Sequence, residues 1–232
     1  MNIPFEVEYR EKFYKILNEV FDSSFWSDGQ VLRKFEDEFE IFSGLPSRGV
    51  CSGGTGLLSI LDYLDVRGKD VLVPANTFWA TSRAAQIAGG NVIYVDCNRE
   101  DLCLSLDDLK RKVTSNTKVV IVVHIGGHIA FQIEEISRFC QSRGIKLVED
   151  CAHVHGASWN GKMGGHYGFA GSYSFYATKT MPLGEGGMVV SRDKDFLEWL
   201  EKYRNYGKEI IGGQVTYPVK TGFNYRMSEF TS

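Results

Sequence analysis

Apolar residues along the first forty-odd positions recur at three- and four-residue steps. Phe5, Tyr9, Phe13, Ile16, Leu17, Val20 and Phe21 form one run, and Leu32, Phe35, Phe39 and Phe42 form a second. This period predicts two amphipathic helices. From residue 48 the pattern changes to short β-rich runs alternating with helical stretches. Strands are predicted at Asp70 to Val73, Asn91 to Val95, Lys118 to His124, Ile145 to Glu149, Ser172 to Tyr176 and Met188 to Ser191. Helical stretches fall at Gly56 to Leu64, Leu106 to Val113 and Phe131 to Arg143, and Ser105-Leu-Asp-Asp108 has the form of a capping-box variant. Apolar strands separated by helices imply βα units and a mostly parallel central sheet covered by helices on both faces, an α/β fold. Ligands bind such sheets outside the carboxyl ends of the strands, so the residues that follow each strand are the ones to inspect.

Composition narrows the class. The 232 residues suffice for one large domain or two small ones, and a net charge of −3 with no basic block gives no electrostatic case for nucleic acid or a membrane surface. The apolar run Val119 to Val123 is too short to span a bilayer, and Met1 to Glu6 lacks the basic and apolar regions of a signal peptide. A cytoplasmic location is the default expectation. Five cysteines, at 51, 97, 103, 140 and 151, make no C-x-x-C pair, and their odd number argues for reduced thiols.

Chemistry gathers after the strands. Asp150 follows the strand at Ile145 to Glu149, where a carboxylate serves as a helix cap, an ion-pair partner or a functional acid. Cys51-Ser-Gly-Gly-Thr-Gly-Leu-Leu-Ser59 runs from a short β pattern into a helical one. Its glycines and threonine suit either an anion held on free backbone N–H groups or an ordinary loop with a threonine cap. Gly156 to Lys162 matches the start of a P-loop, but Met163 stands where a magnesium-binding hydroxyl belongs, so the match is rejected. His124, His128, His153, His155 and His166 cluster near Glu149 and Asp150. A metal is therefore a rival reading, weakened because recognised ligand spacings are missing and His153-Val-His155 would splay its rings across an extended segment. Lys179 stands between an aromatic strand and Gly184-Glu-Gly-Gly187, where an exposed loop is the ordinary place for a lysine. Taken together, a glycine turn for a phosphate, a carboxylate for a ring nitrogen and an amine for an aldehyde are the three anchors of pyridoxal 5′-phosphate. A turn close to such a group has little room for side chains, which accounts for the glycines at 184 to 187.

These residues resemble the DegT/DnrJ/EryC1/StrS sugar aminotransferases, fold-type I enzymes that use pyridoxal phosphate. The likeness runs from about Trp26 onward. It rests on Gly54-Thr-Gly56, Val73-Pro-Ala-Asn-Thr-Phe78, His124-Ile-Gly-Gly127, Glu149-Asp-Cys-Ala-His153 with Gly156, Ser174-Phe-Tyr-Ala-Thr-Lys179, Gly184-Glu-Gly-Gly187, Arg204-Asn-Tyr-Gly207 and Asn224-Tyr-Arg226. The resemblance implies that Lys179 is the amine that condenses with the cofactor and Asp150 the partner of its ring nitrogen. It implies a stacking role for Phe78 and phosphate contacts for Gly54, Thr55, Gly56 and Ser174. His153 would lie near the phenolic oxygen, and Asn224 would reach the phosphate of a neighbouring subunit in a homodimer.

The implied reaction is amino transfer from an amino acid such as L-glutamate to a nucleotide-linked keto-deoxysugar. Residues 1–30 are expected to form an N-terminal helical segment and residues 31–232 the cofactor-binding large domain, with the family's smaller C-terminal domain absent. The alternatives are a dehydratase relative, which has a histidine in place of the lysine, and a non-catalytic partner subunit.

Overall fold

A computed structural model describes residues 5–232. The run Met1 to Glu6, read above for a signal peptide, lies mostly outside the described residues. Helices α1 (Val7–Ser23) and α2 (Gln30–Ser43) come first, followed by β1 (Ser47–Val50), α3 (Gly53–Tyr63), β2 (Asp70–Pro74), α4 (Trp79–Ile87), β3 (Asn91–Val95) and α5 (Leu106–Lys112). Then come β4 (Thr117–Val123), α6 (Ile133–Ser142), β5 (Lys146–Asp150), the short β6 (Ser158–Trp159) and β7 (Lys162–Met163), β8 (Ala170–Ser174), β9 (Gly187–Ser191) and α7 (Lys194–Tyr203). A last hairpin pairs β10 (Glu209–Ile211) with β11 (Gln214–Thr216).

Seven strands form one sheet in the order β1-β9-β8-β5-β4-β2-β3. The pairs from β8 to β3 are all parallel, as the alternating pattern predicts, while β9 runs antiparallel to both β1 and β8. Side chains alternate across the sheet. Val71, Val73, Val119, Ile121 and Val148 enter one apolar layer with Leu57, Leu61, Ala85 and Leu200, from α3, α4 and α7. Leu72, Val120, Val122 and Leu147 enter the other with Phe39, Leu109, Ile133 and Ile136, from α2, α5 and α6.

Several predicted elements shift. The aromatic strand occupies Ala170–Ser174, not 172 to 176; beyond Ser174 the Phe175 carbonyl turns from β9 to accept from the Leu183 N–H at 2.8 Å. Helices α4 and α7 were not predicted. Helix α4 opens on Phe78, which offers no capping side chain, whereas α7 is capped by Asp193, whose carboxylate accepts from the Phe196 N–H at 2.9 Å. The rejected P-loop match is a hairpin: β6 and β7 are joined through Asn160 and Gly161, both with positive φ, the backbone that an Asn-Gly turn supplies. The first predicted helix forms, but among its residues only Val20 is buried, and Tyr9, Phe13 and Phe21 remain about half exposed.

Candidate active site

The carboxyl ends of β1, β2, β4, β5 and β8 all lie on one edge of the sheet, and the candidate residues converge there. After β1 the chain turns into α3 through a reciprocal capping box. The Ser52 Oγ accepts from the Thr55 N–H at 3.1 Å, and the Thr55 Oγ1 accepts from the Ser52 N–H at 3.0 Å. The cap is therefore Ser52, and the Thr55 hydroxyl is its N3 partner. The Gly56 N–H continues the helix to the Ser52 carbonyl. This leaves the N–H groups of Gly53 and Gly54 without a hydrogen-bond partner among the described residues, at the positive end of a helix.

Close packing fixes this turn in place. A Cβ on Gly53 would stand 2.8 Å from the Ser174 Cβ, and one on Gly56 would collide with the Ser172 hydroxyl. The Ser172 Oγ donates to the Gly53 carbonyl at 2.8 Å, so the end of β8 is fastened to the start of α3. Gly187 lies against the same turn, where a Cβ would overlap the Ser52 and Gly53 backbone. Of the glycines after Lys179, Gly187 is thus explained by backbone meeting backbone, while Gly184 and Gly186 carry positive φ. Gly54 faces Ala80, whose Cβ would be 3.9 Å from a Cβ added there, and this brings the first turn of α4 beside the cradle.

Phe78, at the start of α4, is 69% exposed, which leaves its ring face open. Three residues on, the buried Thr81 hydroxyl donates to the Asp150 Oδ2 at 2.8 Å, while the Asp150 Oδ1 accepts from the Ala152 N–H at 3.2 Å. Asp150 is only 7% exposed. Sequence reasoning missed Thr81, because neither α4 nor its packing against the end of β5 was predicted.

Lys179 is half-buried in the turn after β8. Its backbone N–H donates to the Tyr176 carbonyl at 2.9 Å, and its ammonium makes no hydrogen bond or ion pair among the described residues. Burial pushes the Lys179 pKa down, and the nearby Asp150 carboxylate pulls the other way. His153 and His155 both feel this lysine. Burial and then the Lys179 charge lower both histidines, His155 from its usual 6.5 to about 4.

The extended segment expected at His153-Val-His155 does not form. Residues 151–155 form a turn closed by the Val154 N–H on the Cys151 carbonyl, not an extended run. His155 packs on the rings of Tyr173 and Phe175, and neither of its buried nitrogens has a hydrogen-bond partner. The Gly127 Cα region approaches the His153 carbonyl, where an added Cβ would stand 3.6 Å away.

Asn224 stands apart from this group. It is exposed and is held by a backbone bridge to Asn205. His124 and Glu149, candidates for a metal, are occupied otherwise. The His124 Nε2 donates to Glu149 at 3.0 Å and its Nδ1 accepts from the Ala130 N–H at 3.1 Å. Glu149 also accepts from the N–H groups of Gly165, Tyr167 and Gly168 at 2.8, 2.7 and 2.6 Å. These two residues hold the loop before β8 to the end of β5.

The donor set fits pyridoxal 5′-phosphate: unpartnered N–H groups at a helix start, a buried carboxylate, an uncommitted amine and an open aromatic face, all at one sheet edge. A sequence model of the DegT/DnrJ/EryC1/StrS aminotransferase family matches residues 7–232. A GDP-perosamine synthase of Escherichia coli O157:H7 is 33% identical over 222 residues, covering 94% of this chain and 60% of the relative. A solved 3-amino-5-hydroxybenzoic acid synthase superposes with a TM-score of 0.91 at 29% identity, covering 99% of this chain and 61% of that one. A GDP-4-keto-6-deoxymannose-3-dehydratase with bound GDP-perosamine superposes with a TM-score of 0.87 at 26% identity, covering 94% and 62%. The chain spans about 60% of the length of the curated relatives it matches.

Proposed function

Because the chain belongs to the DegT/DnrJ/EryC1/StrS aminotransferase family, we propose that it forms the pyridoxal 5′-phosphate-binding part of a sugar aminotransferase. The reaction is amino transfer from an amino acid, L-glutamate, to a nucleotide-linked keto-deoxysugar in amino sugar or surface polysaccharide biosynthesis. The observation that carries this reading is the uncommitted Lys179 amine, held below its ordinary pKa by burial at the sheet edge it shares with the buried Asp150.

When bound, pyridoxal phosphate supplies an aldehyde that exchanges amino groups and a ring that draws electrons from the reacting carbon. The protein supplies the rest. The N–H groups of Gly53 and Gly54, with Thr55, Gly56 and Ser174 around them, form the phosphate cradle at the start of α3. The Asp150 carboxylate, at 7% exposure, would hold a proton on the ring nitrogen. Phe78 offers its open face for stacking, and His153, whose pKa burial pushes down, would lie near the phenolic oxygen. Lys179 has two tasks. Its lowered pKa increases the neutral fraction that can act as nucleophile, and its Nζ would carry the proton taken from the amino acid's α-carbon.

The dehydratase alternative requires an imidazole in place of this amine, and Lys179 therefore favours transamination. Residues 31–232 make up the cofactor-binding domain in this reading, preceded by the helical segment 1–30. The working unit is a cytoplasmic homodimer in which the exposed Asn224 serves the neighbouring subunit. Five free cysteines fit a reducing compartment.

The test is reconstitution with pyridoxal phosphate followed by borohydride reduction and peptide mapping. The label is expected on the peptide containing Lys179 and lost in Lys179→Ala. L-glutamate is then expected to bleach the chromophore, and a nucleotide-linked keto sugar to restore it. A label on another lysine, or no visible chromophore, overturns the reading.

A further inference from the structure

We propose that Thr81 is the positioning residue that holds the Asp150 carboxylate as a hydrogen-bond acceptor toward the bound ring, so that the proton shared between them stays on the ring nitrogen. This inference rests on the reading of Asp150 as the ring-nitrogen partner. The geometry that carries it is a short relay of hydroxyls. Thr81 Oγ1 donates to Asp150 Oδ2 at 2.8 Å, and Thr77 and Thr81 are joined through their hydroxyls, also at 2.8 Å. With the Thr81 hydrogen directed to the carboxylate, the Thr77 hydroxyl hydrogen is shared between the Thr81 Oγ1 at 2.8 Å and the Phe78 carbonyl at 3.2 Å. Thr81 is 1% exposed and Asp150 7%, so water cannot readily replace the bond.

A carboxylate facing a pyridinium in a site of low dielectric has two arrangements: an ion pair, or a neutral acid beside a neutral pyridine with the proton moved across. Only the first leaves the ring strongly electron-withdrawing. A hydroxyl donated to the carboxylate stabilises its ionised form and lowers its proton affinity, which favours the ion pair. The Ala152 N–H on Oδ1 acts in the same direction, but it is a backbone group 3.2 Å away and is fixed by the turn after β5. Thr81 is the side chain through which α4 adjusts the acid. A charge-assisted bond of this kind is also about twice as strong as a neutral one, so the relay fixes the carboxyl plane.

The role of Thr81 differs from that of Ser52 and Thr55, whose hydroxyls close the helix cap and do not touch Asp150. It also differs from plain packing. Valine has nearly the shape of threonine and would fill the same space, yet it supplies no donor.

The experiment uses the full chain loaded with pyridoxal phosphate labelled with 15N in the ring. In the wild type the ring-nitrogen resonance is expected at the protonated position across neutral pH. In Thr81→Val it is expected to move toward the neutral position across the whole neutral pH range, because the proton passes to Asp150 without leaving the pair, with the ratio of the two arrangements changed by about tenfold, the effect of one lost hydrogen bond to the ionised form. Thr81→Ser restores the donor and is expected to restore the resonance. Asp150→Asn sets the neutral limit.

The half-reaction with L-glutamate is expected to slow by up to about tenfold in Thr81→Val, matching the change in that ratio. If Thr81→Val does not fold, Thr81→Ala read by the same resonance takes its place. A wild-type resonance at the neutral position, or no bound chromophore, defeats the reading of Asp150 itself. A normal wild-type resonance that is unchanged in the variant overturns the role of Thr81 alone.

Discussion

Glu229 offers the sharpest test of how this chain is held together. Helix α2 begins at Gly29, which has no side chain to cap it. The cap arrives from the other end of the chain: the Glu229 carboxylate accepts from the N–H groups of Gly29, Val31 and Leu32 at 2.8, 2.9 and 3.2 Å while being only 3% exposed. A negative charge at a helix start also meets the positive end of its dipole. Glu229→Ala removes both effects and leaves three N–H groups short of a partner. One lost cap costs ~1 kcal/mol and a bond to a charged group contributes ~1.5–3, but entering water recovers part of this at the half-exposed Gly29. The expected total is about 2–4 kcal/mol.

Urea unfolding followed by circular dichroism reads the effect. The midpoint is expected to fall with an unchanged slope, and the melting temperature to drop by roughly 5–15 °C for a domain of this size. Glu229→Gln, which keeps one acceptor oxygen and loses the charge, is expected to give about half the loss. A second perturbation reaches the same carboxylate from the helix side. A Cβ on Gly29 would stand 2.7 Å from the Glu229 Oε2, so Gly29→Ala is expected to push the carboxylate off its donors and destabilise in the same direction. Glu229→Ala within about 0.5 kcal/mol of the wild type refutes the clamp, since that is the range of an ordinary surface substitution.

Three further outcomes follow from the site. Gly187→Ala places a methyl into the Ser52–Gly53 backbone and is expected to weaken pyridoxal phosphate binding at least tenfold, measured by equilibrium absorbance titration; unchanged affinity would show that the cradle does not bind the phosphate. Asp150→Asn keeps the shape of the side chain but loses its charge. It is expected to slow the half-reaction with L-glutamate by about a hundredfold or more in stopped-flow spectra, and a near-normal rate would assign the ring nitrogen to another group. His155 is held neutral in the fold, with a pKa of about 4 against its usual 6.5. The folded state therefore binds fewer protons than the unfolded one between these values, and stability is lost as pH falls through that window, by about 3 kcal/mol if the whole shift is realised. His155→Phe, packed on the same Tyr173 and Phe175 rings, is expected to flatten this loss in unfolding free energies measured from pH 7 to 4.5; an identical slope would assign the loss to other groups.

The parts of the fold legible in the sequence were those governed by local period. Buried parallel strands read as apolar runs because helices cover both faces, and α5 and α6 matched their predicted spans to within two residues because their apolar residues recur at helical steps. The direction of β9 was not legible, since Gly187–Ser191 reads as an apolar run in either orientation and only its partners decide. Helix α7 did carry a usable signal. Asp193 precedes Phe196, Leu197, Leu200 and Tyr203, a cap followed by one apolar face. Helix α4 carried none, and Thr81 went unnoticed with it. Glu229 was illegible for a different reason: its donors are backbone groups some 200 residues away, and no local pattern encodes a long-range cap.

Glu149 and Asp150 show where such reading reaches its physical limit. They are adjacent carboxylates at the end of one strand, so their side chains point to opposite faces of the sheet. Leu147 lies in the layer of α5 and α6, and Val148 in the layer of α3 and α4. By alternation Glu149 joins the first face and Asp150 the second. The sequence therefore contains the fact that the two acids diverge. It does not contain which helices cover which face, because that depends on how each βα crossover winds around the sheet. Once α4 lies over the Val148 face, Asp150 meets Thr81 and the open edge beside α3, while Glu149 meets His124 and the N–H groups of the loop before β8. Two neighbouring residues of the same chemistry thus acquire different work, one at the site and one beneath it, through strand parity combined with crossover topology.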